Sequence, residues 1–171
     1  RTLPDGRIRR GLVGKLDLEE YDYGVGSASA IRATEATVLE RIPPRVAIRS
    51  AAAYELPHVM VLIDDTEGLF AHLAETREKY ELAYDFDLML GGGHARGYRI
   101  PISHGDRAVQ FCAVYSKIAA YEEARRGGLV YAVGDGNHSL ASAKAHYENL
   151  KRELGEAAAD HPARFALVEL V

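Results

Sequence analysis

One stretch constrains the fold more than any other: LVYAVGDGNHSLASAKAHYENLKREL, residues 129–154. LVYAV is an apolar run of the kind that is buried as a strand. From Ser139 to about Leu154, the apolar residues Leu140, Ala143, Tyr147, Leu150 and Leu154 recur at helical spacing. The period changes within a few residues. A strand must therefore turn almost directly into an amphipathic helix, the unit from which layered α/β structures are built.

The rest of the chain supplies both kinds of layer. PDGR at 4–7 is a turn: Pro sets φ, Asp caps its own backbone and Gly takes the left-handed position. Strands are predicted in IRRGLVGKLDLEEY (8–21), in HVMVLI (58–63) and in the final RFALVELV. FDLML and YRIPI flank GGGHARG as the arms of a hairpin. Thr34 is the expected N-cap of a helix that Pro43 and Pro44 must break, with Pro44 opening a second helix to about Glu55. TEGLFAHLAETREKYELAY carries Leu69, Leu73 and Tyr80 at helical spacing, and VQFCAVYSKIAAYEEARRGG runs from strand into helix. Residues 24–30 read as a small-residue loop and 157–160 as a surface connector. The order predicts one mixed α/β (α+β) domain over residues 1–171. A start inside a turn and an end inside a strand suggest that it is incomplete at both ends.

Composition narrows the function. A chain of 171 residues with 47% hydrophobic and 27% charged content has enough material for one soluble core. The net charge of −4 counts against a nucleic-acid surface. The single cysteine, Cys112, makes no internal disulfide, which suits a reducing cytoplasm. No apolar run reaches membrane-spanning length and no signal peptide is visible, so a cytoplasmic location is expected.

Several motifs carry chemistry. GGGHARG has GxGxxxG spacing and is followed by a strand pattern, so it reads as a hairpin rather than a dinucleotide loop. No GxxxxGK[ST] and no HExxH occur, and His58, His72, His104, His146 and His161 read as surface or structural residues. Asp64 and Asp65 end an apolar strand, where they either hold Mg²⁺ or cap the next helix. Arg32, Arg41, Arg45 and Arg49 surround the two prolines. They either pair with Glu35 and Glu40 or form an anion-binding patch. In VGDGNHSL, the first turn of the helix presents free backbone N–H groups and a dipole that favours an anion. Gly134 and Gly136 let the backbone approach a ligand, Asn137 or Ser139 is available as a cap, and His138 can donate to an oxyanion or transfer a proton. The alternative is a tight turn whose Asp and Asn bond their own backbone.

These stretches resemble a known family. LPDGRIRRGLVGKLDLEEYDY (3–23), IRATEATVLERIPPR (31–45), ELPHVMVLIDD (55–65), YDFDLML (84–90) and VGDGNHSLASAK (133–144) are similar to the bacterial family of domain of unknown function 1015. The resemblance implies longer relatives, of which this chain is an internal piece. It also implies a distant similarity to ParB-like and sulfiredoxin-like proteins and to free-serine kinases, with helices layered on a mixed sheet. Those proteins bind nucleotide phosphates at a turn of the type DGHHR, which Asp135, Gly136 and His138 match. Asn137 stands where that turn has its first histidine and Ser139 where it has arginine, so a fixed-charge clamp is replaced by weaker donors. Arg32 or Arg45 is the candidate to supply that charge. The catalytic glutamate of the kinase-type relatives would lie upstream of Arg1.

The expected function is therefore a phosphotransferase or phosphohydrolase that uses ATP or ADP with Mg²⁺ on a small polar metabolite. Asp135 and His138 are its catalytic residues. Gly134, Gly136, Asn137, Ser139, Arg32 and Arg45 hold phosphate, and Thr34 and Glu35 bind substrate. Asp135, with Asp64 and Asp65, is the metal set. The alternative is a non-catalytic ParB-like module that senses a nucleotide or binds DNA.

Overall fold

The computed structural model describes residues 1–100 and 108–171, with the side chains of 108–112 left aside. Pro101, Ile102 and His104, which entered the sequence reading, lie outside the described residues. The fold is mixed α/β, and the chain divides into two compact units.

The first unit comprises Arg1–Gly11 and Asp64–Ala124. Its hairpin pairs β4 (Glu81–Asp87) with β5 (His94–Arg99) antiparallel, and the backbone of Thr2 bonds to His94 in both directions. Two helices belong here, α2 (Leu69–Thr76) and α3 (Ala108–Ala124). The helix expected to reach residue 84 stops at Thr76 and closes in a short 3-10 turn. ELAYDFD beyond it alternates with period two and enters the hairpin instead. Residues expected to begin α3 as a strand are helical from Ala108 onward.

The second unit comprises Leu12–Ile63 and Arg125–Val171. It is built on five strands, β1 (Leu12–Asp17), β2 (Ile31–Ala33), β3 (Val59–Leu62), β6 (Tyr131–Asp135) and β7 (Phe165–Leu170), in the order β1-β7-β3-β6-β2. β7 runs parallel to β3, and β2 parallel to β6; the other pairs are antiparallel. Two helices accompany the sheet: α1 (Ile42–Ala51) and α4 (Asn137–Leu154), which pack against each other. Leu140, Ala143 and Tyr147 of α4 join Leu16, Val59, Val61, Val133, Ala166 and Val168 in one buried cluster. Burial of this apolar surface is the main force holding α4 on the sheet.

Three local expectations change. Thr34 caps no helix: residues 34–38 form a loop, and α1 begins only at Ile42, with Pro43 and Pro44 in its first turn, where a missing N–H costs nothing. Leu154, expected on the buried face of α4, is its last residue and is 44% exposed. Ala158, expected on a surface connector, is buried and completes the core.

Candidate functional site

β6 becomes α4 through a single residue, Gly136, at φ 83° and ψ 21°. That left-handed conformation suits glycine. Crowding adds a second reason, since a Cβ there would lie 3.0 Å from Val59 Cα and 3.1 Å from its Cγ2. Gly134 sits opposite a register shift between β3 and β6, where a Cβ would press into the Leu62 side chain at 2.8 Å. Both glycines, expected to make room for a ligand, thus also make room for β3.

The helix starts two residues earlier than its apolar pattern suggested. Neither Asn137 nor Ser139 caps it, and no side chain bonds the cap position. Leu140 N–H makes the first helical bond, to Gly136 O at 2.9 Å. The N–H groups of Asn137, His138 and Ser139 precede that bond and point out of the helix end, where the dipole favours negative charge. Asp135, exposed at the end of β6, uses one carboxylate oxygen to accept from Gly136 N–H at 2.7 Å.

A loop 100 residues away in sequence closes over this turn. Thr34 Oγ1 donates to Val133 O at 2.6 Å, and Val38 N–H donates to His138 Nε2 at 3.1 Å. Parallel pairing of β2 with β6 brings the loop there, by setting Ala33 beside Val133. Thr34 therefore reaches the predicted turn, and Glu35 stands exposed on the same loop. Arg32 is occupied otherwise: its guanidinium donates to Ser29 O at 2.7 Å and Ala28 O at 3.2 Å, tying down the small-residue loop before it. Two polar atoms in this region are buried without a hydrogen-bond partner among the described residues, Thr37 Oγ1 and Asn137 Oδ1. Asn137 is only 4% exposed. An unmet acceptor so deeply buried costs about 1–3 kcal/mol.

Ser139 faces a cavity of about 610 Å³. α4 contributes Ser139, Ser142 and His146, which share one face at i, i+3 and i+7. α1 contributes Arg45, Ile48 and Arg49. Tyr54, Glu55, Leu56 and His58 line the cavity from the segment before β3, and His161, Pro162 and Phe165 from the segment entering β7. Arg49 pairs with Glu55 at 2.7 Å, and Arg45 donates to Arg41 O at 2.9 Å. Burial first, and then the neighbouring Arg49 guanidinium and His161 ring, hold the His146 imidazole below its ordinary range. Ile48, Tyr54 and Leu56 are each more than 70% exposed and form an apolar rim. Of the two arginines expected to serve the turn, Arg45 stands in the same cavity as Ser139, and Arg32 bonds elsewhere.

Asp65 is a helix cap: its two carboxylate oxygens accept from Leu69 N–H at 2.6 Å and Phe70 N–H at 3.0 Å in the first turn of α2. Asp64 and Asp65 belong to the first unit and Asp135 to the second. Among the described residues, no group of three His, Cys, Asp or Glu side chains is arranged to hold a metal. Both carboxylate oxygens of Asp65 are thus engaged at the start of α2. Sequence reasoning named Arg49 in its candidate anion patch but missed Ser142 and the cavity positions of His58, His146 and His161. The i, i+3, i+7 spacing of Ser139, Ser142 and His146 was the available signal.

A family model described as "Protein of unknown function (DUF1015)" matches residues 1–171. Neither a curated protein nor a solved structure matches the chain. No helix among the described residues is long and apolar enough to cross a membrane.

Proposed function

This chain belongs to the DUF1015 family, and on that premise we propose that it is a nucleotide-binding phosphotransferase or phosphohydrolase acting on a small polar metabolite. The observation that carries the reading is the shared cavity of Ser139 and Arg45. It gives the N-terminus of α4 the fixed positive charge that its own turn lacks, and a guanidinium fork matches a phosphate group. Ser139, the first-turn residue that lines the cavity, offers its backbone N–H and Oγ to phosphate oxygens, and Arg45 neutralises charge. A volume of about 610 Å³ is within the range of small-molecule sites.

Mg²⁺ commonly rests on one or two carboxylates plus substrate phosphates, and exposed Asp135, with one oxygen bound to Gly136 N–H, is the residue that fits it. Bound there, the ion would neutralise phosphate charge. His138 has Nε2 occupied by Val38 N–H, so its part in proton transfer runs through Nδ1. Thr34 and Glu35, on the loop that closes over the turn, are the residues set to meet the metabolite.

Calorimetric titration of ADP and ATP with Mg²⁺ tests this, followed by Arg45→Ala and Ser139→Ala. Nucleotide binding that both substitutions weaken supports the site. Absence of heat and of any thermal shift at millimolar nucleotide would sink it.

A second reading, a ParB-like module that senses a nucleotide without catalysis, has its own support. His138 Nε2 and the Arg32 guanidinium are both engaged in holding loops, which is what a static binding site would do with them. Binding without turnover of any phosphate bond separates this reading from the first. A DNA-binding version fits the net charge of −4 poorly and predicts a steep salt dependence on duplex DNA.

A further inference from the structure

We propose that the cavity takes up its anionic ligand together with a proton, and that the proton goes to His146. The proposal rests on the reading of the cavity as an anion site and adds a linkage that reading does not require. Cationic and titratable groups converge here from every surrounding element: Arg45 and Arg49 from α1, His58 from the segment before β3, and His161 from the segment entering β7. Of the acidic side chains, Glu55 lines the cavity but is paired with Arg49 at 2.7 Å, and Glu153, further along α4, acts on His146 more weakly than Arg49 and His161 do. Without a ligand, a proton on His146 would therefore add to positive charge already present in a partly dry place.

An anion seated between Arg45 and Ser139 reverses that balance. It offsets the charge of the arginines and gives an imidazolium a partner, so it raises the proton affinity of His146. Reciprocity then requires that protonated His146 bind the anion better. His146 lies on the same face of α4 as Ser139, two turns further on, and both line the cavity, so the charge of an anion there acts on the imidazole. The shared ligand chemistry is an ionised phosphate- or sulfate-like group.

Sulfate is the probe, because it stays fully ionised throughout the histidine range. Titrated into the protein, its dissociation constant should fall about three- to tenfold between about pH 8 and about pH 5.5. His146→Gln should keep sulfate binding but lose that dependence. The imidazole signal of His146, followed by NMR, should titrate at higher pH with saturating sulfate than without it, and this readout does not depend on the variant folding. Binding that is independent of pH, a dependence that survives His146→Gln, or an unmoved His146 midpoint overturns the linkage and leaves the anion site standing. Failure of both sulfate and ADP to bind at any pH overturns the anion site as well.

Discussion

The backbone N–H of Val38 donates to Nε2 of His138 across 3.1 Å, joining the loop after β2 to the first turn of α4. An imidazole that accepts at Nε2 carries its proton on Nδ1. Nitrogen NMR should therefore find His138 as the Nδ1–H tautomer. His138→Ala should cost about 0.5–1.5 kcal/mol, the usual net value of one such bond. It should also speed hydrogen exchange at Val38 while leaving the core amides of β6 slow.

Gly136→Ala should be the most damaging single change at the turn. Forcing a Cβ at φ 83° costs about 1–2 kcal/mol by itself, and the contact at 3.0 Å with the Val59 backbone adds to it. Urea unfolding is the measurement. Gly134→Ala should be milder, because its Cβ would meet the end of the Leu62 side chain, which can move.

Asp65→Ala removes the acceptor for two first-turn N–H groups of α2. A loss of about 0.5–2 kcal/mol is expected, read as a lower denaturation midpoint. Affinity for Mg²⁺ and nucleotide should not change.

Arg164 grips Asp17, with Nε at 3.0 Å from both carboxylate oxygens and Nη2 at 2.6 Å from Oδ2. These donors, chiefly, hold the Asp17 carboxyl below the ordinary carboxylate range. The stabilisation is therefore present above the unfolded-state value of about 3.9 and is lost as pH falls through the lower folded-state value. Asp17→Asn should lower stability at neutral pH, and the difference from the native protein should shrink in strong acid. Thermal unfolding across that range checks it.

Period and turn chemistry made much of this fold legible. The strand-to-helix passage at 129–154 was readable because a single residue, Gly136, separates two clear patterns. ELAYDFD was misread because no Gly or Pro marks the end of α2; a 3-10 turn does that work. The chemistry of Asp65 was open between metal and cap, and only the two short bonds to Leu69 and Phe70 decide it. Of the candidate site, the turn itself was visible. Arg32 and Arg45 were both candidates to bring charge to it, but the choice between them was not visible: that Arg45 shares a cavity with Ser139 depends on α1 packing against α4, a contact between segments some ninety residues apart for which the sequence has no local signal. His146 was passed over for a different reason. Its spacing from Ser139 was in plain view, but a lone histidine on a helix is ordinary until the opposing wall is known.

The bonds that close the loop over the turn, Thr34 to Val133 and Val38 to His138, span 99 and 100 residues. Contacts of such separation form late, because the chain between them must first be ordered. During synthesis at about 5–20 residues per second, the loop leaves the ribosome about 5–20 s before the helix end it will cover. Closure of this loop thus waits until the helix end has been made. A ligand that prefers the closed loop would act at that final step, by holding together two ends of a folding history rather than by guiding its beginning.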